Sequence, residues 1–263
     1  MRKITSNAAR RSGPLTYDLL RPTYTTNWHD ITPTINNMMF ARVPRGRVDY
    51  AQFSVIGRPM SGKTWLLSYL AGVAHEAYGD RMNLVYTDNI LVAADLMDER
   101  PLQLIIIDDA SGGASSRQSG RNVDSIQAMN TLRHKLEDLQ EQRGAEWRGG
   151  RVVFGLAWQR KNDLDRAMRQ ADFQFYKTAP LNMDERQELE ELIGPRYMNK
   201  LLSINRMIIE GSQEIKATSI GLIPAMGVAG GGVGLYTTER SRMYSMPRMV
   251  EADAYYTEQE ARK

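Results

Sequence analysis

The chain has 263 residues, 42% of them hydrophobic and 25% charged, which suits one large globular domain with extensions. It contains no cysteine, so disulfides, thiolate metal sites and cysteine nucleophiles are excluded, and a reducing compartment fits. The net charge is +3, and the first 50 residues carry eight Lys or Arg against three Asp, a basic arm that is either solvated or in contact with a polyanion.

Met1–Tyr50 reads as an irregular basic extension, broken by Pro14, Pro22, Pro33 and Pro44 and holding Tyr17, Tyr24 and Trp28 as packing groups. Met1–Arg11 is basic and polar with no apolar run behind it, so no signal peptide is expected. From residue 51 the pattern becomes regular. Phe53–Ile56 is a short apolar strand, and Lys63–Ala77 has the apolar spacing of a helix (Leu66, Leu67, Leu70, Val73, Ala74). Asn83–Thr87 predicts a strand, Ile90–Met97 a short helix, and Leu104–Ile107 a fully buried strand. Ser111–Gly120 is a Gly/Ser loop. Val123, Ile126, Met129, Leu132, Leu136 and Leu139 form a stripe that predicts a helix over Asp124–Gln142. Val152–Ala157 follows as a core strand, Asp163–Gln170 as a helix and Phe173–Tyr176 as a strand. Asn182 and Glu185 resemble a capping box opening a helix that ends near Gly194-Pro195. Asn205–Ile209 and Glu214–Leu222 are expected to form a hairpin around Gly211. Ala217–Thr238 carries no charge and is long enough to span a bilayer, but its glycines and Pro224 favour a strand and then a Gly-rich linker. Tyr236–Lys263 reads as a polar tail. The alternation over residues 53–195 predicts an α/β domain with a mainly parallel sheet flanked by helices. The organisation expected is an extension over 1–50, a core domain over 51–223, and a linker and tail over 224–263.

Gly57-Arg58-Pro59-Met60-Ser61-Gly62-Lys63-Thr64 matches the Walker A pattern, with an apolar strand before it and an amphipathic helix after it. Glycines let successive backbone N–H groups turn inward on phosphate oxygens, and the positive end of the following helix faces the anion. Gly57, Pro59, Met60, Ser61, Gly62, Lys63, Thr64 and Trp65 are therefore the expected nucleotide contacts, with Lys63 reaching the β- and γ-phosphates of ATP and Thr64 offering its hydroxyl to Mg²⁺. Leu104–Ile107 delivers Asp108 and Asp109 to the carboxyl edge of the sheet, where ligands bind in open α/β folds. Asp108 is placed in the Mg²⁺ shell and Asp109 as the acid that activates water.

The order continues with a long helix, Arg148, and the strand Val152-Val153-Phe154-Gly155-Leu156-Ala157-Trp158-Gln159. This arrangement resembles the HerA/FtsK superfamily of P-loop ATPases over roughly residues 50–223, in the RecA-like (ASCE) division of the P-loop NTPase fold. The resemblance implies that Gln159 senses the γ-phosphate and that Arg148 is an arginine finger given in trans to the next subunit, with Arg143 and Arg151 as competitors. It implies a homo-oligomer, usually a hexameric ring, which hydrolyses ATP and pumps double-stranded DNA in viral genome packaging or in plasmid or chromosome transfer. Arg117 and Arg121, in the loop after Asp109, would then be pore contacts. Its setting would be the cytoplasm or an assembly site at a virion or membrane, with capsid or membrane-associated partners reached through the tails. Asp109 is one methylene shorter than the glutamate many relatives carry, which leaves a nucleotide-gated, non-catalytic assembly protein as an alternative. Pro59 favours another, an AAA+ type loader or remodeller. A P-loop kinase is set aside, because no acceptor-binding lid is evident.

Overall fold

The computed structural model describes residues 30–43, 46–108, 119–143, 149–159, 171–209, 214–223 and 232–262. The helix expected over Asp163–Gln170, the loop 111–118 and most of the N-terminal arm lie outside the described residues.

Seven strands form one sheet in the order β2-β3-β4-β1-β5-β6-β7. These are β1 (Val48–Ile56), β2 (Met82–Thr87), β3 (Leu102–Asp108), β4 (Gly150–Trp158), β5 (Phe173–Tyr176), β6 (Thr218–Ile223) and β7 (Gly232–Thr237). The first five run parallel; β6 and β7 are antiparallel to their neighbours. The central strands are apolar runs because helices cover both faces, and alternate residues of one strand serve opposite layers. Thus Leu104 and Ile106 pack beneath α1 (Thr32–Phe40) and α2 (Lys63–Tyr78), while Ile105 and Ile107 pack against α3 (Ile90–Asp95) and α4 (Ser119–Arg143). A third cluster joins α5 (Met183–Ile193) and α6 (Pro195–Ile209) to Tyr176, Ile220 and Leu222.

Local chemistry sets the helix ends. Asn182 caps α5 by accepting from the Asp184 N–H at 2.8 Å. Gly79, at φ 59°, closes α2. In α4, Leu132 and Leu136 are buried as the stripe requires; the side chains of Val123, Ile126 and Met129 are outside the described residues.

The structure departs from the sequence expectations in three places. Residues 205–209 are not a strand: they finish α6, whose Met198, Leu201 and Ile204 are buried at a spacing of three that only a helix can place on one face. The partner of β6 is instead β7, within the stretch expected to be a linker; its Gly234 and Tyr236 alternate inward, and Tyr236 is fully buried. β1 begins at Val48, so it crosses the boundary placed at residue 51, and α1 before it buries Ile35, Met39 and Phe40. No helix among the described residues is long and apolar enough to cross a membrane.

After β7 the chain runs back over α2. The Tyr244 N–H donates to the Ser68 carbonyl at 3.1 Å, the Ser68 hydroxyl donates to the Tyr244 carbonyl, and the Arg242 guanidinium grips the Glu76 carboxylate. The crossing is close enough that a Cβ on Gly72 would lie 1.8 Å from the Arg242 carbonyl oxygen. The Val250 N–H then donates to the Tyr86 carbonyl at 2.9 Å, and α7 (Ala252–Ala261) follows on the surface.

Candidate functional site

Strand register brings three predicted groups and one unpredicted one to a single edge. Ile56 pairs with Trp158 and with Tyr176, and Asp108 pairs with Ala157. The loop after β1, Gln159 after β4, Asp108 ending β3 and Lys177-Thr178 after β5 therefore all stand at the carboxyl edge of the sheet. Because β4 lies between β1 and β3, Gln159 is delivered between the loop and Asp108.

The loop is tied down by its own backbone. The Gly57 N–H donates to the Trp158 carbonyl at 3.0 Å, the Arg58 N–H to Thr178 Oγ1 at 3.1 Å, and the Ser61 N–H to the Arg58 carbonyl at 3.3 Å. Met60 and Gly62 take the left-handed conformation, at φ 64° and 85°, which curls the chain into the helix. Lys63 Nζ donates back to the carbonyls of Gly57 at 3.1 Å and Arg58 at 3.4 Å, so the ammonium crosses the mouth of the curl. α2 begins with no side-chain cap and no acidic residue in its first turn, which leaves its positive end to an external anion. Ser61 Oγ is buried and has no partner among the described residues. A parallel sheet whose first strand feeds a Gly-x4-Gly-Lys-Thr curl into a helix is decisive. This is the P-loop NTPase fold.

Pro59, Met60, Gly62, Lys63, Thr64, Trp65, Asp108 and Gln159 line one cavity of about 620 Å³. Gly57 and Ser61 lie beneath its floor: a Cβ on Gly57 would stand 2.6 Å from Lys177 Cβ and 2.7 Å from Ser61 Oγ, so only glycine fits. Trp65 is also fixed from outside, its indole N–H donating to Thr238 Oγ1 at 3.0 Å. Tyr86 Oη donates to Asp108 Oδ2 at 2.8 Å, which fixes the carboxylate in the cavity that Thr64 also lines. Trp158 packs in the core, at 6% exposure. Asp109 and Arg148 lie outside the described residues. Arg143 and Arg151 lie at the edge of the sheet opposite the loop: Arg143 pairs with Glu99 at the surface, and the largely buried Arg151 donates to the Met38 carbonyl and pairs with Asp49.

The donor set fits a magnesium nucleotide. The uncapped helix end, the Lys63 ammonium and the inward-curled backbone suit a phosphate chain, and Thr64 and Asp108 share its cavity. No cluster of three or more His, Asp or Glu ligands gathers among the described residues, so magnesium would take its remaining oxygens from phosphate and water.

Sequence reasoning missed a second layer. Lys177 is completely buried beneath the loop, and its ammonium donates to the carbonyls of Ile215 at 3.1 Å, Lys216 at 3.0 Å and Thr218 at 2.7 Å. Burial pulls its pKa down from 10.5 to about 7. Lys216, Ser68, Met243 and Met246 complete the cavity wall. The only signal for Lys177 in the sequence is a charge set directly after the apolar run Phe173–Tyr176, and Lys216 carries none.

No family model and no curated protein matches the chain. Among solved structures it is similar to B204, the DNA-packaging ATPase from Sulfolobus Turreted Icosahedral Virus. The identity is 14%, the match covers 72% of this chain and 98% of that one, and the TM-score is 0.46. It is also similar to the genome packaging NTPase B204 from Sulfolobus turreted icosahedral virus 2, in complex with ATP-gammaS (12% identity, 72% and 97% coverage, TM-score 0.44) and with AMPPCP (14%, 72% and 98%, 0.45).

Proposed function

We propose that this chain is an ATP-hydrolysing motor subunit that works in a ring, six-membered as in the HerA/FtsK proteins it resembles, and translocates double-stranded DNA during genome packaging or DNA transfer. The observation that carries the reading is the position of β4, which sets Gln159 between the phosphate loop and Asp108 in one cavity. A side-chain amide there can orient water or report on the γ-phosphate, a role a nucleotide store does not need. Magnesium bound by Thr64 and Asp108 would neutralise charge on the β- and γ-phosphates. Lys63 holds the same oxygens from the other side, and Asp109 takes the proton of the attacking water.

Arg148 is the proposed finger. Its described neighbour Gly149 is held by Gln140 at the edge of the sheet opposite its own phosphate loop, which favours action on another subunit's nucleotide. Apolar groups exposed around the loop favour a protein neighbour there: Met60 is 86% exposed, Met183 69% and Leu181 57%. α7 has no buried residue and is free to meet a capsid or membrane-associated partner at the assembly site. Against the loader reading that Pro59 favours, α5 and α6 pack on the sheet, the chain re-enters it as β6, and no four-helix lid follows among the described residues.

The test is steady-state turnover set against binding. Gln159→Ala and Asp108→Asn are expected to bind ATP within a few-fold of wild type and to lose about 10²-fold or more in turnover, the usual cost of removing a group that acts in the transition state. Unchanged turnover in Gln159→Ala would sink the sensor role.

A further inference from the structure

We propose that Lys216 is a second lysine of the phosphate site, contacting the phosphate chain of the bound nucleotide in cis. The proposal rests on the nucleotide-binding reading of the loop and adds to it a residue from an element outside the Walker motifs.

Lys216 sits in the single 3₁₀ turn Glu214–Ala217 that leads into β6. Its side chain lines the same cavity as Lys63, Thr64 and Asp108. The turn rests directly on the end of the phosphate loop: a Cβ on Gly62 would meet Lys216 Cα at 2.8 Å, Cβ at 3.2 Å and Cγ at 3.3 Å. The Lys216 stem thus leaves from the point where α2 starts, and Gly62 must be glycine partly to admit it. Lys63, the uncapped start of α2 and Lys216 thus stand at one cavity, and positive groups gathered in this way favour an anion there.

The turn is also held with unusual completeness for a surface connection. From below, the buried Lys177 ammonium takes the carbonyls of Ile215, Lys216 and Thr218, one for each of its three protons. From the side, the Ala217 carbonyl accepts from the Thr238 N–H at 2.9 Å and from Thr238 Oγ1 at 3.2 Å. Thr238 Oγ1 in turn accepts from Trp65, in the first turn of α2. A buried charge is costly, and spending one on three carbonyls of a short turn makes sense if that turn must present something accurately. What it presents to the cavity is Lys216. Lys216 is therefore a binding residue, and Lys177 and Thr238 are positioning residues that act through it.

The test measures ATP, ADP and adenosine binding to wild type, Lys216→Met, Lys216→Arg and Lys63→Ala, with melting temperatures alongside. Methionine keeps the stem on Gly62 and removes the charge. Lys216→Met should lose about tenfold in affinity for ATP and ADP, the size of one charged hydrogen bond, with adenosine binding and melting temperature unchanged. Lys216→Arg should recover most of the loss. Wild-type ATP affinity in Lys216→Met overturns the proposal. So does an equal loss for adenosine, or a lowered melting temperature, either of which would make the residue structural. If wild type and Lys63→Ala alike fail to bind ATP, the nucleotide reading itself falls and takes the proposal with it.

Discussion

Lys177 sets the terms at the residue scale. A lysine with no exposed surface is rare, and this one uses all three ammonium protons on backbone carbonyls under the phosphate loop. Its pKa falls from 10.5 to about 7 on burial. Between those values the unfolded chain binds more protons than the folded one, so stability from this group rises with pH above 7 and is lowest below it. The melting temperature of wild type is expected to climb from about pH 7 to about pH 9, and Lys177→Met, though less stable because three carbonyls lose their donor, is expected to lack that climb. A flat wild-type profile would contradict the lowered pKa of Lys177. Lys63 has the opposite character: it stands at the cavity, so Lys63→Ala should abolish ATP binding while leaving the melting temperature within a few degrees.

Elements explain why some of this was legible in the sequence and some was not. The phosphate loop, β3, β4, β5 and α5 were readable because each carries a local signal: a glycine pattern, a four-residue aliphatic run or a cap residue. Asp108 and Gln159 followed, since each simply ends a readable strand. The turn holding Lys216 had no such signal, because its place depends on Lys177 beneath it and Thr238 beside it, both distant in sequence. β7 was hidden for a related reason. Its Gly232-Val233-Gly234 start has weak strand propensity, and its burial comes from Tyr236, which meets Phe175 and Tyr69 edge to face. Asn205–Ile209 alone has the composition of a strand, and its helical spacing shows only with the buried Met198, Leu201 and Ile204 before it. Two glycines give tests at this scale. A Cβ on Gly155 would sit 2.0 Å from Phe53 Cζ, its direct partner where β4 pairs with β1, so Gly155→Ala should cost about 1–3 kcal/mol in chemical denaturation. Gly72→Ala meets backbone rather than a side chain and should release the 238–250 segment from α2, seen as faster proteolysis of the C-terminal region with the core still folded. Wild-type resistance in Gly72→Ala would mean that this segment is not held by that crossing.

Among the described residues the phosphate loop, Asp108, Gln159 and Lys216 stand at one edge of the sheet, and Arg143 and Arg151 pair with Glu99 and Asp49 at the other. A motor whose finger comes from a neighbour has a distinctive signature. Arg148→Ala and Lys63→Ala should each be inactive alone, and mixing them should restore part of the turnover, because mixed rings pair an intact loop with an intact arginine. No recovery on mixing would argue against a finger given in trans.

The most direct measurement of the central claim is the ATP hydrolysis rate of the full chain with and without double-stranded DNA, with Lys63→Ala as control. A wild-type rate that rises severalfold on adding duplex DNA, and no hydrolysis by Lys63→Ala under either condition, is the predicted result. A wild-type rate that duplex DNA leaves unchanged would contradict the translocating motor, and hydrolysis that survives in Lys63→Ala would contradict the site itself.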